Sequence, residues 1–180
     1  MAVRRSGGQA VGRPGDRFWW VVVVTVSFVL GATKSEAQST PMEAVTRLYR
    51  DYAWEVVFAS PPAGATGFAQ SPRAVLIKYV DTSLARLLVA DQACLARGQG
   101  ICNLDFAPLW GSQDPAVSEF EIGATRDPAI IRVKYTIPGG DQEVTLDLQL
   151  VRTPAGWRVR DIFYEGGNSL HELLSTPRDP

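Results

Sequence analysis

The sequence predicts an α+β domain in which N-terminal helices pack on a curved four-stranded antiparallel sheet. Three observations predict it. Apolar residues recur at spacings of three and four from Val45 to Ala93, they alternate one by one from Phe120 to Leu150, and turn residues separate the alternating stretches. A period near 3.6 builds one buried helix face, and a period of two builds strands with one wet face. Helices first and strands after is the layout in which helices cover one face of an antiparallel sheet. Composition agrees: 180 residues, 46% hydrophobic and 21% charged, describe one ordinary domain plus an appendage.

The appendage is N-terminal. Arg4, Arg5, Arg13 and Arg17 precede an apolar run from Phe18 to Leu30, and Ser35-Glu36-Ala37 supplies small residues at the positions a signal peptidase reads. The run is thirteen residues, whereas a membrane-crossing helix needs about 20. Residues 1–37 therefore read as a cleaved secretory signal, with an uncleaved anchor as the alternative, and Gln38 to Pro180 as a single domain in the periplasm or outside the cell. Ser-Gly-Gly after Arg4-Arg5 disfavours twin-arginine export, and no cysteine near the cut supports lipidation. Thirteen basic and seventeen acidic residues remain after Ala37, a net charge of −4. Nucleic-acid binding needs cationic contacts that release phosphate counterions, so an acidic domain without a basic stripe is not expected to bind nucleic acid.

The elements follow in order. Thr40 as N-cap, Pro41 at the first helical position and Glu43 form a capping box. Val45, Leu48, Tyr49, Tyr52, Val56 and Ala59 then mark the buried face of a helix from Pro41 to Ala59, which Pro61 and Pro62 stop. Ser71-Pro72 restarts helical structure, with Ser71 as cap. Asp81 or Thr82 caps a further helix through Leu84, Leu87, Leu88 and Ala93 that ends near Gly98. Strands follow around Phe120 and Ile122, along Ile131 to Ile137, along Val144 to Leu150, and from Gly156 to Tyr164. Pro138-Gly139-Gly140-Asp141 and Thr153-Pro154-Ala155-Gly156 turn the chain between them, and Asn168-Ser169 caps a last helical turn.

Cys94 and Cys102 are the two cysteines, and export places them where paired thiols persist as a disulfide. Gly98 and Gly100 permit the reversal that such a bridge requires. Closing a loop of about nine residues contributes roughly 2.5 kcal/mol in the chain-entropy model. A redox or metal pair is the poorer reading, because there is no C-x-x-C and His171 is the single histidine.

Two segments sharpen the fold. They are Asp105-Phe106-Ala107-Pro108-Leu109-Trp110-Gly111-Ser112-Gln113-Asp114 and Trp157-Arg158-Val159-Arg160-Asp161-Ile162-Phe163-Tyr164, the second followed by Ser169-Leu170 and Leu173-Leu174. With Tyr49-Arg50-Asp51-Tyr52, they resemble a family of secreted bacterial domains of unknown function, some of them lipoproteins. The order of elements resembles the cone-shaped fold of the nuclear transport factor 2 and cystatin-like proteins. The resemblance spans roughly Pro41 to Leu174 and implies fold and envelope location, with no activity attached.

Candidate sites divide into two groups. Asp161 shares the period-two face of Trp157 and Val159. An inward carboxylate there would act as a base beside Tyr135 or Tyr164, whereas a β-bulge at Asp161-Ile162 would turn Ile162 inward and release Asp161 to a backbone partner or to solvent. Asp105, Trp110, Gln113 and Asp114 belong to an aromatic loop that either binds a ligand or covers the open end of the sheet, with the aspartates as turn formers. Tyr49, Tyr52 and Tyr135 read as core residues with wet tips, Arg50 and Asp51 as a solvated helix face, and His171 as a surface residue of the last helix. No phosphate-cradling loop, G-x-S-x-G or H-E-x-x-H is present, and no cofactor or metal is implied.

Two functional expectations follow. The first is a non-enzymatic envelope module that binds a small ligand or another envelope protein. The second is a cofactor-free lyase, isomerase or hydrolase with Asp161 as general base. A third reading is a dimeric assembly or immunity-type module, a homodimer that pairs through the sheet.

Overall fold

The computed structural model describes residues 40–58, 62–98, 102–140 and 142–176. The segment read as a signal peptide lies outside the described residues, as do Ala59, Gly100 and Asp141. Helices α1 (Pro41–Tyr52), α2 (Trp54–Val57), α3 (Arg73–Leu76) and α4 (Thr82–Ala96) precede strands β1 (Ser118–Ala124), β2 (Ile130–Thr136), β3 (Glu143–Thr153) and β4 (Gly156–Phe163), and helix α5 (Leu170–Ser175) closes the chain. The four strands form one sheet in sequential order with every neighbour antiparallel, which makes the domain α+β as expected.

Helix α1 starts as its residues dictate. Thr40 Oγ1 accepts from Glu43 N (3.1 Å) and the Glu43 carboxylate accepts from Thr40 N (3.0 Å), so two otherwise orphaned donors are satisfied reciprocally. The expected helix to Ala59 is instead broken at Ala53, and α2 carries no fully buried residue. The break lets Glu55 turn into the molecule, where it meets partners from two distant segments. Ser71 does not cap α3 either. Its hydroxyl lies 2.8 Å from that of Tyr52 and donates to Gly67 O (3.0 Å), leaving Pro72 as an uncapped start. Asp81 caps α4 by accepting from Leu84 N (2.8 Å), and Ser169 caps α5 by accepting from Glu172 N (3.2 Å).

The core lies between the helices and one face of the sheet. Val45, Leu48, Tyr49 and Tyr52 of α1 meet Ile131, Val133 and Tyr135 of β2, Leu146, Leu148 and Leu150 of β3, and Val159 and Ile162 of β4. Leu48 and Leu148 are fully enclosed, and truncating either to Ala costs about 2–5 kcal/mol in such a setting. The inward parity of β4 switches between Val159 and Ile162 because Gln149 pairs with Asp161 while Leu150 pairs with Val159, leaving Arg160 as the extra, exposed residue of a bulge. The expected bulge is present, one residue earlier than anticipated.

The two borders of the sheet differ. Along β4, Val159 N donates to Tyr79 O and Asp81 N donates to Val159 O (both 2.9 Å), so residues 79–81 run beside the strand, with Val80 and Val159 forming an isolated parallel bridge. Tyr164 N donates to Asn168 O (3.0 Å) beyond the strand's end. Strand β1 is the other border. Its register slips between Ser118 and Glu121, where Glu119 adopts a φ of 49°, uncommon for a residue with a Cβ. Cys94 and Cys102 are joined as a disulfide with their Cα atoms 6.0 Å apart, tying the end of α4 to the start of the following loop.

Candidate functional site

The aromatic loop between α4 and β1 is the most heavily tied segment of the domain. Tyr49 Oη, from α1, donates to Leu109 O (2.8 Å), Tyr164 Oη donates to Pro108 O (3.0 Å), and Tyr135 Oη, from β2, donates to Trp110 O. Three consecutive carbonyls thus receive three phenols from three separate parts of the chain. Gly111 ends the turn at a φ of 62°, where a side chain is strained, and a Cβ there would crowd Tyr164 Cδ1 at 3.2 Å and Leu146 Cδ2 at 3.3 Å. Trp110 is buried with its ring 6.1 Å from that of Tyr135, and Phe106 packs edge-on against Tyr164 with centroids 5.4 Å apart. The tips of Tyr49, Tyr52 and Tyr135, expected to be wet, are instead satisfied by protein partners, because the loop and Ser71 lie where solvent was expected.

These bonds decide what the first group of candidates does. Burial is the chief cause that raises the Tyr49, Tyr135 and Tyr164 phenols above their ordinary value, Tyr135 to about 12 with a smaller contribution from the Glu165 charge. They remain protonated donors held by carbonyls. Asp161 Oδ1 accepts from Ile162 N (2.8 Å) and from His171 N (2.9 Å), so the carboxylate anchors the first turn of α5 to β4. Tyr135 and Tyr164 donate to loop carbonyls while Asp161 Oδ1 accepts from backbone N–H groups, and the Asp161 charge adds to burial in raising the Tyr164 phenol. His171 is partly covered, with Nε2 3.4 Å from Ser83 Oγ.

The second group splits. Asp105 and Gln113 line a polar cavity of about 280 Å³ together with Glu55, Gln70, Asp91 and Phe106. Asp114 is exposed and lines neither this cavity nor the cleft described below. Glu55 and Asp91 are the residues that reading the sequence missed. Glu55 Oε1 accepts from Phe68 N (2.6 Å) and Oε2 accepts from Trp110 Nε1 (2.9 Å), and Asp91 Oδ1 accepts from Asn103 N (2.7 Å). Burial raises the Glu55 carboxyl above its ordinary value, opposed by those two hydrogen bonds. A signal existed: Glu55 is the one acid within Ala53-Trp54-Glu55-Val56-Val57-Phe58, and Asp91 falls at the helical spacing of Leu84 and Leu88. Two of the three carboxylates that line this cavity, Glu55 and Asp91, thus bond to the protein's own N–H groups. Among the described residues no three His, Cys, Asp or Glu side chains group as a metal site.

On the other side of Trp110 lies an apolar cleft of about 400 Å³ between α1–α2 and β1. Its wall is an aromatic triangle: the centroids of Tyr49 and Trp110 are 5.2 Å apart, of Tyr49 and Phe120 5.3 Å, and of Trp110 and Phe120 6.0 Å. Val56, Val57 and Ile122 complete the apolar surface. Around its mouth Val57 is 68% exposed and Phe120 41%, beside Phe58 at 57%. The size and lining match those of small-molecule sites, which run from about 300 to 1,000 Å³ and are mostly apolar.

The outer face of the sheet, by contrast, is covered with matched charges. Arg132 binds both oxygens of Asp147 at 2.7 Å, and Lys134 binds Glu143 at 2.7 Å. Arg50 and Asp51 form an exposed pair at 3.0 Å, as a solvated helix face should, although Asp51 also accepts from Tyr79 Oη (2.8 Å). No helix of the described residues is long and apolar enough to cross a membrane. Compared with protein-family models, curated proteins and solved structures, the chain matches none.

Proposed function

We propose that this chain is an extracytoplasmic, non-enzymatic binding module of the cone-fold type, and that its site is the apolar cleft between α1–α2 and β1. One observation carries the reading. The cleft is lined almost wholly by apolar side chains, with Val57 and Phe120 exposed at its mouth, whereas Asp161, Glu55 and Asp91 accept hydrogen bonds from backbone N–H groups. A site without a free acid, base or nucleophile binds rather than turns over. The signal-like N-terminus and the disulfide support a location outside the cytoplasm. The helix-then-sheet order supports the cone comparison.

The test uses the neutral dye N-phenyl-1-naphthylamine, whose fluorescence rises in apolar surroundings. The dye is expected to bind the native protein, and the exposed substitutions Val57→Asp and Phe120→Ser are expected to weaken it while far-ultraviolet circular dichroism stays unchanged. Dye binding that is absent, or that ignores both substitutions in folded protein, refutes the cleft as the site.

A further inference from the structure

Resting on that reading, we infer the class of molecule the cleft takes: an amphipathic small molecule with a wholly apolar body and one anionic group, the body lying on the aromatic triangle and the anion at Arg50. Three features carry this.

The first is the direction of the polar tips. Tyr49 Oη is turned to Leu109 O and Trp110 Nε1 to Glu55, so both aromatic residues present carbon to the cleft and keep their hydrogen-bonding atoms behind it. Phe120, Val56, Val57, Val117 and Ile122 add no polar side-chain atom. A hydroxyl or amide seated on this floor would lose its water and find no replacement, a loss of about 1–3 kcal/mol. The buried part of the ligand is therefore hydrocarbon.

The second is where polarity returns. Thr46 and Arg50 lie four residues apart on α1, and Ala53 and Val57 continue the same stripe, so the polar side chains of the lining come from the N-terminal part of that stripe. A ligand satisfied along this stripe has a polar group at one end only.

The third is sign. Arg50 is the one charged residue among the described residues that line the cleft. Its Nε and Nη2 reach Asp51 Oδ1, and Nη1 has no partner among the described residues. The other oxygen of Asp51, Oδ2, accepts from Tyr79 Oη. The Arg50–Asp51 pair is exposed, with side chains 70% and 32% accessible, and such pairs contribute little. A carboxylate or sulfonate arriving with its body desolvated in the cleft meets a planar guanidinium with an unused donor, the geometry that favours anions over alcohols.

The experiment uses three probes with one tail: decanoate, decanol and decyltrimethylammonium, each below its micelle concentration, titrated against the dye-loaded protein and by calorimetry. The expected order places decanoate about tenfold tighter than decanol, the difference that one charge-assisted hydrogen bond supplies, with the ammonium weakest. Arg50→Gln is expected to bring decanoate to the level of decanol, and Arg50→Lys to restore part of the preference. Decanol equal to decanoate, or a preference for the ammonium, overturns the anionic assignment while leaving the cleft reading intact. Failure of all three tails to displace the dye removes the cleft reading itself. If sedimentation shows a dimer that the tails dissociate, a second copy is the occupant, and the small-molecule proposal is overturned.

Discussion

Removing the phenol of Tyr49 tests whether the loop carrying Trp110 is seated by hydrogen bonds or only by packing. Tyr49→Phe deletes one oxygen and leaves the ring, so the contacts with Trp110 and Phe120 persist while Leu109 O loses its donor. Leu109 is fully buried, so water does not take the donor's place. The cost is that of a buried carbonyl left unpaired, about 1–3 kcal/mol. Tyr135→Phe and Tyr164→Phe strip the flanking carbonyls of Trp110 and Pro108. Because the three acceptors are consecutive, the turn leaves its place as one body once enough donors are gone, and the substitutions are coupled. The pair Tyr49→Phe/Tyr135→Phe is expected to deviate from the sum of its single effects by at least about 0.5 kcal/mol. Urea unfolding gives the stabilities, and amide exchange gives the local opening. The Gly111 amide, bonded to Ala107 O at 2.9 Å, is expected to exchange faster in each variant than global unfolding alone allows. A single-variant cost below about 0.5 kcal/mol, or strict additivity of the pair, refutes the idea that these bonds hold the loop.

Further outcomes follow from other parts of the structure. Reducing the Cys94–Cys102 bridge, or replacing both cysteines by Ala, is expected to lower stability by about 2.5 kcal/mol, measured as the urea midpoint with and without reductant. Asp161→Ala is expected to cost about 1–3 kcal/mol and to loosen α5, and Asp161→Asn, which keeps an acceptor oxygen, less; proteolysis of the C-terminal segment reads the difference. For Glu55 the sign follows from its raised pKa: the folded state holds the proton longer than the unfolded chain, so that contribution is present below 4.5 and declines as pH rises through the folded-state value. The stability of the native protein relative to Glu55→Gln is therefore expected to be greatest in acid and to fall with rising pH in a denaturation series, and a difference that grows with pH contradicts the assignment.

Local chemistry was legible in the sequence wherever partners lie within a few residues. Thr40 with Glu43, Asp81 and Ser169 each cap as their spacing indicates, and the alternation of Ile131, Val133 and Tyr135 fixes the inward face of β2. Long-range partners were not legible. Nothing near Ala53 announces a break, because its use is to deliver Glu55 to Phe68 and Trp110, which are 13 and 55 residues away. The phenols of Tyr49 and Tyr164 likewise meet carbonyls 60 and 56 residues distant, a pairing that no periodicity encodes. Asp161 was ambiguous for a third reason: one extra residue in β4 inverts every side chain beyond it, and only the pairing with β3 locates that residue.

The unequal borders of the sheet govern how copies of this chain could ever join by their backbones. β4 is flanked at Val159 by residues 79–81, whereas β1 pairs with β2 alone among the named strands. Strand addition between two copies is therefore expected at β1, and a two-fold pairing of β1 with β1 would occupy that edge in both.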